Sequence, residues 1–275
     1  MRPSRSHRLV LVLLAFSGSV AAQTPNYAEG DKVPPHQTFT IDSRVLAERR
    51  VVNVYLPPGY EADSSTRFPV LYMLDGGLVE DFPHVVNTVD SFIVRKVIRP
   101  VIVVGIENTE RRRDLIGSIA VATDSAIAPH VGASAAFRRF MGEEFIPEVR
   151  ARYRTTDETT IVGESLAGLF IVETFLVEPS LFQKFIALSP SLWWNHGALV
   201  HHAASDMAGL AGLHRTLYLS SADEGDIAEN TEVLAATLRA QAPADLTWSY
   251  VPRPDLTHGT IFRAVAPGAF ASLLK

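Results

Sequence analysis

A chain of 275 residues, 47% of them hydrophobic, is long enough to bury one large core. Its net charge of −5, with acidic and basic residues interspersed, offers no basic face and argues against nucleic acid as a partner. The absence of cysteine excludes disulfides, cysteine-ligated zinc and thiol catalysis.

Arg2, Arg5 and Arg8 precede an apolar run from Leu9 to Phe16, and small residues follow to Val20-Ala21-Ala22. This order predicts a secretory signal peptide over residues 1–22, since the run is too short to span a bilayer. The expected destination is periplasmic or secreted, with no membrane association after cleavage. Residues 23–37 read as a loose lead-in and 38–275 as a single domain, without an internal repeat or linker. Thr38 to Asp42 and Arg50 to Leu56 predict strands, the second ended by Pro57-Pro58-Gly59. Phe68 to Leu74 is a continuous apolar run, as in a strand buried on both faces, and Asp75-Gly76-Gly77 ends it. A helix over Val85–Ile98 and a buried strand over Val101–Ile106 follow. Ala133 to Tyr153 has helical spacing, with Pro147 placed to kink it. A strand then leads into a helix over Leu166–Val177. Strands at Phe185–Leu188, Thr216–Ser220 and Leu246–Val251 come next, with helices at Ile227–Ala240 and Ile261–Leu274. Buried strands alternating with helices define an α/β class: a mainly parallel sheet covered on both faces, its early strands antiparallel.

In such a sheet, ligands sit beyond the carboxyl ends of the strands. Thr160-Ile-Val-Gly163-Glu-Ser165-Leu-Ala167-Gly168 reads as strand, tight turn and helix, with Ser165 at the apex. That is the nucleophile elbow of an α/β-hydrolase fold, except that Ala167 stands where the pattern G-x-S-x-G has its second glycine. A serine hydroxyl needs a base to take its proton, and this fold orders serine, acid and histidine along the chain. Of the nine histidines, only His258 follows the last strand. The acid belongs after the penultimate strand, where Asp223, Glu224 and Asp226 share one loop. Asp223 and Glu224 are nearest the strand end, and Asp226 is placed to cap the following helix. The oxyanion requires two fixed N–H donors, for which the candidates are Leu166, directly after the nucleophile, and Gly77, in the loop after the Phe68 strand.

Trp193 and Trp194 follow the Phe185 strand and could line an acyl or aromatic pocket. Arg111 to Arg113 follow the Val101 strand at the same edge. Arg111 could meet an acidic substrate group, although a solvated basic cluster is the alternative. His196, His201 and His202 lack the spacing of a metal site, so no metal or other cofactor is expected.

Several segments carry a resemblance in register: Arg50 to Tyr60, Phe68 to Gly76, Gly105-Ile-Glu-Asn108, Arg111 to Asp114, Gly163 to Gly168, Ser189-Pro-Ser-Leu-Trp-Trp194, and His258-Gly259. In these the chain resembles the putative esterase family, which includes esterase D, feruloyl esterases, enterochelin esterases and mycolyltransferases. The resemblance implies an α/β-hydrolase fold, Ser165 and His258 as catalytic residues, and a small-molecule ester as substrate. It leaves the acid open. Hydrolysis through an acyl-enzyme is the expectation, with acyl transfer to an alcohol, or a non-catalytic binding protein on the same fold, as the alternatives. The ester itself and the oligomeric state are not legible from these residues.

Overall fold

Residues along the central strands alternate between two apolar layers. Val70 and Tyr72 of one strand face the first layer, and Leu71 and Met73 face the second. Phe185 and Ala187 against Ile186 and Leu188 repeat the pattern one strand further on. Both faces are therefore dry, which is why these segments read as unbroken apolar runs rather than alternating ones.

The computed structural model describes residues 31–275. The expected signal peptide, residues 1–22, and the lead-in as far as residue 30 lie outside the described residues. Eight strands form one sheet: β1 (Gln37–Ser43), β2 (Glu48–Tyr55), β3 (Phe68–Met73), β4 (Ile102–Ile106), β5 (Thr155–Glu164), β6 (Lys184–Leu188), β7 (Thr216–Ala222) and β8 (Thr247–Arg253). Their spatial order is β1-β2-β4-β3-β5-β6-β7-β8; β1 and β2 pair antiparallel, β2 and β4 likewise, and the rest are parallel. The helices are α1 (Phe82–Val94), α2 (Arg111–Leu115), α3 (Ala122–Ile127), α4 (Ser134–Phe140), α5 (Ile146–Arg152), α6 (Leu166–Val177), α7 (Trp194–Asp206), α8 (Gly225–Gln241) and α9 (His258–Leu273). Helix α6 packs on β5 and β6 and is buried nearly all round, whereas α1 and α9 cover the opposite face.

Three differences from the sequence expectation have local causes. The helix expected over Ala133–Tyr153 is two helices joined by a π-helical turn, Met141–Phe145, in which the Ile146 N–H reaches back to Met141 O. That wider turn precedes Pro147, which has no N–H to give and whose ring would collide with a regular preceding turn. The first helix starts at Phe82, with Pro83 in its first turn, and stops at Val94, four residues short of the expectation. The helices α2, α3 and α7 were not expected. Helices α2 and α3 are single short turns, and α7 contains left-handed residues that interrupt its period.

The sheet's active edge is set by a close backbone approach. A Cβ on Gly76 would sit 2.3 Å from Gly105 Cα, and one on Gly105 would sit 2.7 Å from Gly76 O. The Gly76 N–H donates to Ile106 O at 2.9 Å, so the turn after β3 rests directly on β4. Gly76→Ala is expected to destabilise the fold by about 3 kcal/mol, because backbone rather than a movable side chain blocks the added methyl. A fall of roughly 10 °C in Tm, measured by calorimetry, checks it.

Candidate active site

Ser165 sits between β5 and α6 with φ 60° and ψ −119°, a strained conformation for a residue with a Cβ. The surroundings impose it. Its N–H donates to Leu188 O at 3.0 Å, and its carbonyl accepts the Ser191 N–H at 3.0 Å. A Cβ on Gly163 would come within 2.6 Å of Ala167 Cβ, so the strand and helix meet at that pair. Alanine thus fills the fifth position of the elbow without separating the elements. Gly168, one place on, makes room for Pro190 of the next strand's loop, 2.9 Å from a notional Cβ.

His258 is the first residue of α9. Thr257 caps this helix through a reciprocal box with Thr260, whose hydroxyl accepts the Thr257 N–H at 3.0 Å. The cap fixes the imidazole at the helix start, and Nε2 lies 2.9 Å from Ser165 Oγ. On the other side of the ring, Nδ1 is 2.8 Å from Glu224 Oε2. That vector does not run along the ring N–H, and Nδ1 has no aligned hydrogen bond. Contacts of this kind commonly straighten only when substrate is bound.

Glu224 is therefore the carboxylate that the fold brings to the imidazole. Asp223 is exposed, and its N–H is tied to Leu256 O at 3.1 Å. Asp226 is exposed in the first turn of α8, where its charge complements the helix dipole without making a side-chain cap. The loop places consecutive side chains on opposite sides, a property that its composition does not encode.

A residue that sequence reasoning gave no role also lies against Ser165. Ser191 Oγ lies 3.2 Å from Ser165 Oγ. Its signal was the Ser-Pro-Ser-Leu-Trp-Trp run after β6, from which only the tryptophans were given a role.

The site opens on a cleft of about 770 Å³ that Ser165, Leu166, His258, Glu224, Trp193 and Trp194 help to line. Leu166 opens α6, so its N–H is among those a helix start leaves without an internal acceptor. The two tryptophans stack, with ring centroids 4.5 Å apart and planes 20° apart, and the Trp194 indole N–H is buried without a partner among the described residues. Gly77 is not brought into the cleft. Its N–H donates to Glu80 Oε2 at 2.6 Å, because the turn folds Glu80 back over it, and Asn108 holds the second carboxylate oxygen at 2.8 Å. Arg111 does reach the cleft, yet its guanidinium is engaged. Nε and Nη2 grip Asp75 at 2.6 and 2.7 Å, and Nη2 also donates to Glu164 O at 3.2 Å. It ties the turn after β3 to the elbow rather than presenting a free cation.

Burial sets the titration behaviour. It pushes Glu224 up to about 7 and lifts Glu164 well above the ordinary carboxyl range, with the Asp81 charge adding to the effect. His258 is lowered, first by burial and then by the nearby Arg111 charge, so its neutral form is favoured.

An eight-stranded, mainly parallel sheet with a strained serine elbow between β5 and α6 defines an α/β-hydrolase fold. The family model described as "Putative esterase" matches residues 43–247, and the chain belongs to that family. Among curated relatives, the ferri-bacillibactin esterase BesA of Bacillus subtilis is 30% identical over 162 residues, which cover 54% of this chain and 56% of that protein. The siderophore enterobactin esterase of Emericella nidulans is 35% identical over 65 residues, 22% of either chain. The chain thus matches little more than half the length of the first of these and far less of the second. Among solved structures, an IroE-like serine hydrolase from Shewanella oneidensis superposes with a TM-score of 0.79 at 24% identity, covering 87% of this chain and 80% of its own. The siderophore hydrolase EstA of Aspergillus nidulans gives 0.75 at 20% identity, covering 86% and 93%. These two likenesses establish the fold.

Proposed function

We propose that the chain is an exported serine hydrolase that cleaves a carboxylic ester through an acyl-enzyme. The observation that carries this reading is the line from Ser165 Oγ through His258 to Glu224, with steps of 2.9 and 2.8 Å. His258 Nε2 takes the Ser165 proton as Oγ attacks the ester carbonyl. Glu224, once ionised, steadies the imidazolium that forms. The oxyanion develops against the Leu166 N–H, where a fixed dipole is worth more than water. His258 then returns the proton to the departing alkoxide, and water repeats the cycle on the acyl group. For Gly77 to supply the second donor, the Glu80 carboxylate must leave it first. The stacked tryptophans supply an apolar wall for the substrate. Among the described residues, no helix is long and apolar enough to cross a membrane.

A narrower reading of the substrate comes from the relatives, two of which are named for siderophore esters. A panel that sets a ferric siderophore lactone against simple acyl and feruloyl esters decides between them by kcat/KM.

Labelling with a fluorophosphonate tests the chemistry directly. Stoichiometric modification of Ser165, located by peptide mass spectrometry, is expected. An unlabelled protein that keeps its fold supports the non-catalytic binder instead. Turnover in the presence of a competing alcohol, with products separated by chromatography, distinguishes hydrolysis from acyl transfer.

A further inference from the structure

Trp194 is shared by two cavities, the cleft at Ser165 and a groove of about 300 Å³ behind it. The groove lies between α6, α7 and the 116–119 segment. Leu169 and Val177 face it from α6, Leu199 from α7, and Ile119 from the segment opposite. Leu166, one turn before Leu169 on α6, lines the cleft, so one helix runs past both spaces.

The partition is held in place and left polar at one point. Asn195, His196 and Gly197, directly after Trp194, have φ of 56°, 54° and 69°. Non-glycine residues keep such a conformation only where their surroundings impose it. Here the Asn195 N–H donates to Asp124 Oδ2 at 2.8 Å, and its side-chain oxygen accepts the Ala120 N–H at 2.9 Å. Trp194 itself is 5% exposed, and its buried indole N–H has no partner among the described residues. Two acids line the groove: Glu173, in its middle on α6, is paired with Arg138 at 2.8 Å, and Asp206 stands at the far end of α7.

Resting on the serine-esterase reading above, we propose that the groove behind Trp194 is the acyl subsite and takes the apolar chain of the ester whose carbonyl lies at Ser165. The direction follows from the proton. His258 must protonate the leaving oxygen, so the alcohol arm lies on its side of the cleft. Thr257, His258, Gly259 and Glu224 line the cleft, and none of them lines the groove. The arm remote from His258 is the acyl arm, and the space remote from His258 is the groove.

The test compares p-nitrophenyl octanoate with p-nitrophenyl acetate. The unaltered protein is expected to favour octanoate by at least tenfold in kcat/KM. Leu199→Trp and Ile119→Trp, which fill the groove from opposite walls, should each lower that octanoate-to-acetate ratio at least tenfold. Folded variants that keep the ratio, or an unaltered protein that shows no preference, overturn the proposal. If Leu199→Trp fails to fold by circular dichroism, Ile119→Trp on the loop decides. Should neither ester be turned over, the serine-esterase reading fails on its own. The groove is then judged by calorimetric titration with octanoate, and binding that is absent, or that survives Ile119→Trp, overturns it.

Discussion

Replacing Ser165 with alanine is expected to lower kcat for a short aryl ester by about 10⁶, with the melting temperature unchanged or raised. On the proposed mechanism nothing replaces the hydroxyl, because no other side-chain hydroxyl among the described residues hydrogen-bonds the His258 imidazole. Ser191 Oγ stands 3.2 Å away, but its neighbour is the Ser165 hydroxyl and not the imidazole. Stability should not suffer, because φ of 60° at position 165 is imposed by the surrounding hydrogen bonds and not by the hydroxyl. Steady-state kinetics on the folded variant check the first part, and calorimetry checks the second. Retention of more than a hundredth of the activity would place the nucleophile elsewhere.

Glu224→Ala is expected to cost about 10⁴ in kcat, and Asp223→Asn less than about twofold, since only Glu224 reaches the imidazole. The pH profile gives a sharper form of the same claim. On the proposed mechanism the working state needs neutral His258 and ionised Glu224. Burial raises the carboxyl to about 7 and lowers the imidazole, so Glu224 is the group that protonates first as pH falls. Activity should therefore decline below about pH 7 in the unaltered protein. In Glu224→Gln, the much weaker residual activity should persist to lower pH, following His258 alone. Because the two groups are in contact, the apparent value belongs to the pair. For stability the sign is opposite. A carboxyl raised in the folded state contributes fully below its unfolded value of 4.5 and loses that contribution as pH climbs through about 7. At pH 8 Glu224→Gln should thus melt no lower than the unaltered protein while remaining nearly inactive. A purely structural role for Glu224 predicts the reverse.

The order of the strands' chemistry was legible because it rests on periodicity and on chain order. Apolar runs at Phe68, Val101 and Phe185 read as strands covered on both faces, and the structure has strands there; Ser165 lies at the end of β5 and His258 after β8, as their chain order predicts. Which carboxylate meets the His258 imidazole was not legible. Asp223 and Glu224 are neighbours in a loop, and which of them turns inward depends on a backbone contact, Asp223 N–H to Leu256 O, between segments far apart in the chain. The partners of Arg111 and Gly77 were not legible for a related reason. In the structure Asp75 and Glu80 hold the groups that were expected to face substrate. Sequence gives the position of a charge or an N–H more readily than it gives what neutralises it. The helix α7 was missed because Asn195, His196 and Gly197 interrupt its regular period with left-handed turns.

The contact between Gly76 and Gly105 bears on how this protein could be re-engineered. Neither position can accept a side chain unless the other backbone retreats, so randomising one at a time would return mostly misfolded clones. The turn after β3 is in that sense fixed to β4. Variation aimed at substrate range has better prospects at Trp193 and Trp194, which line the cleft.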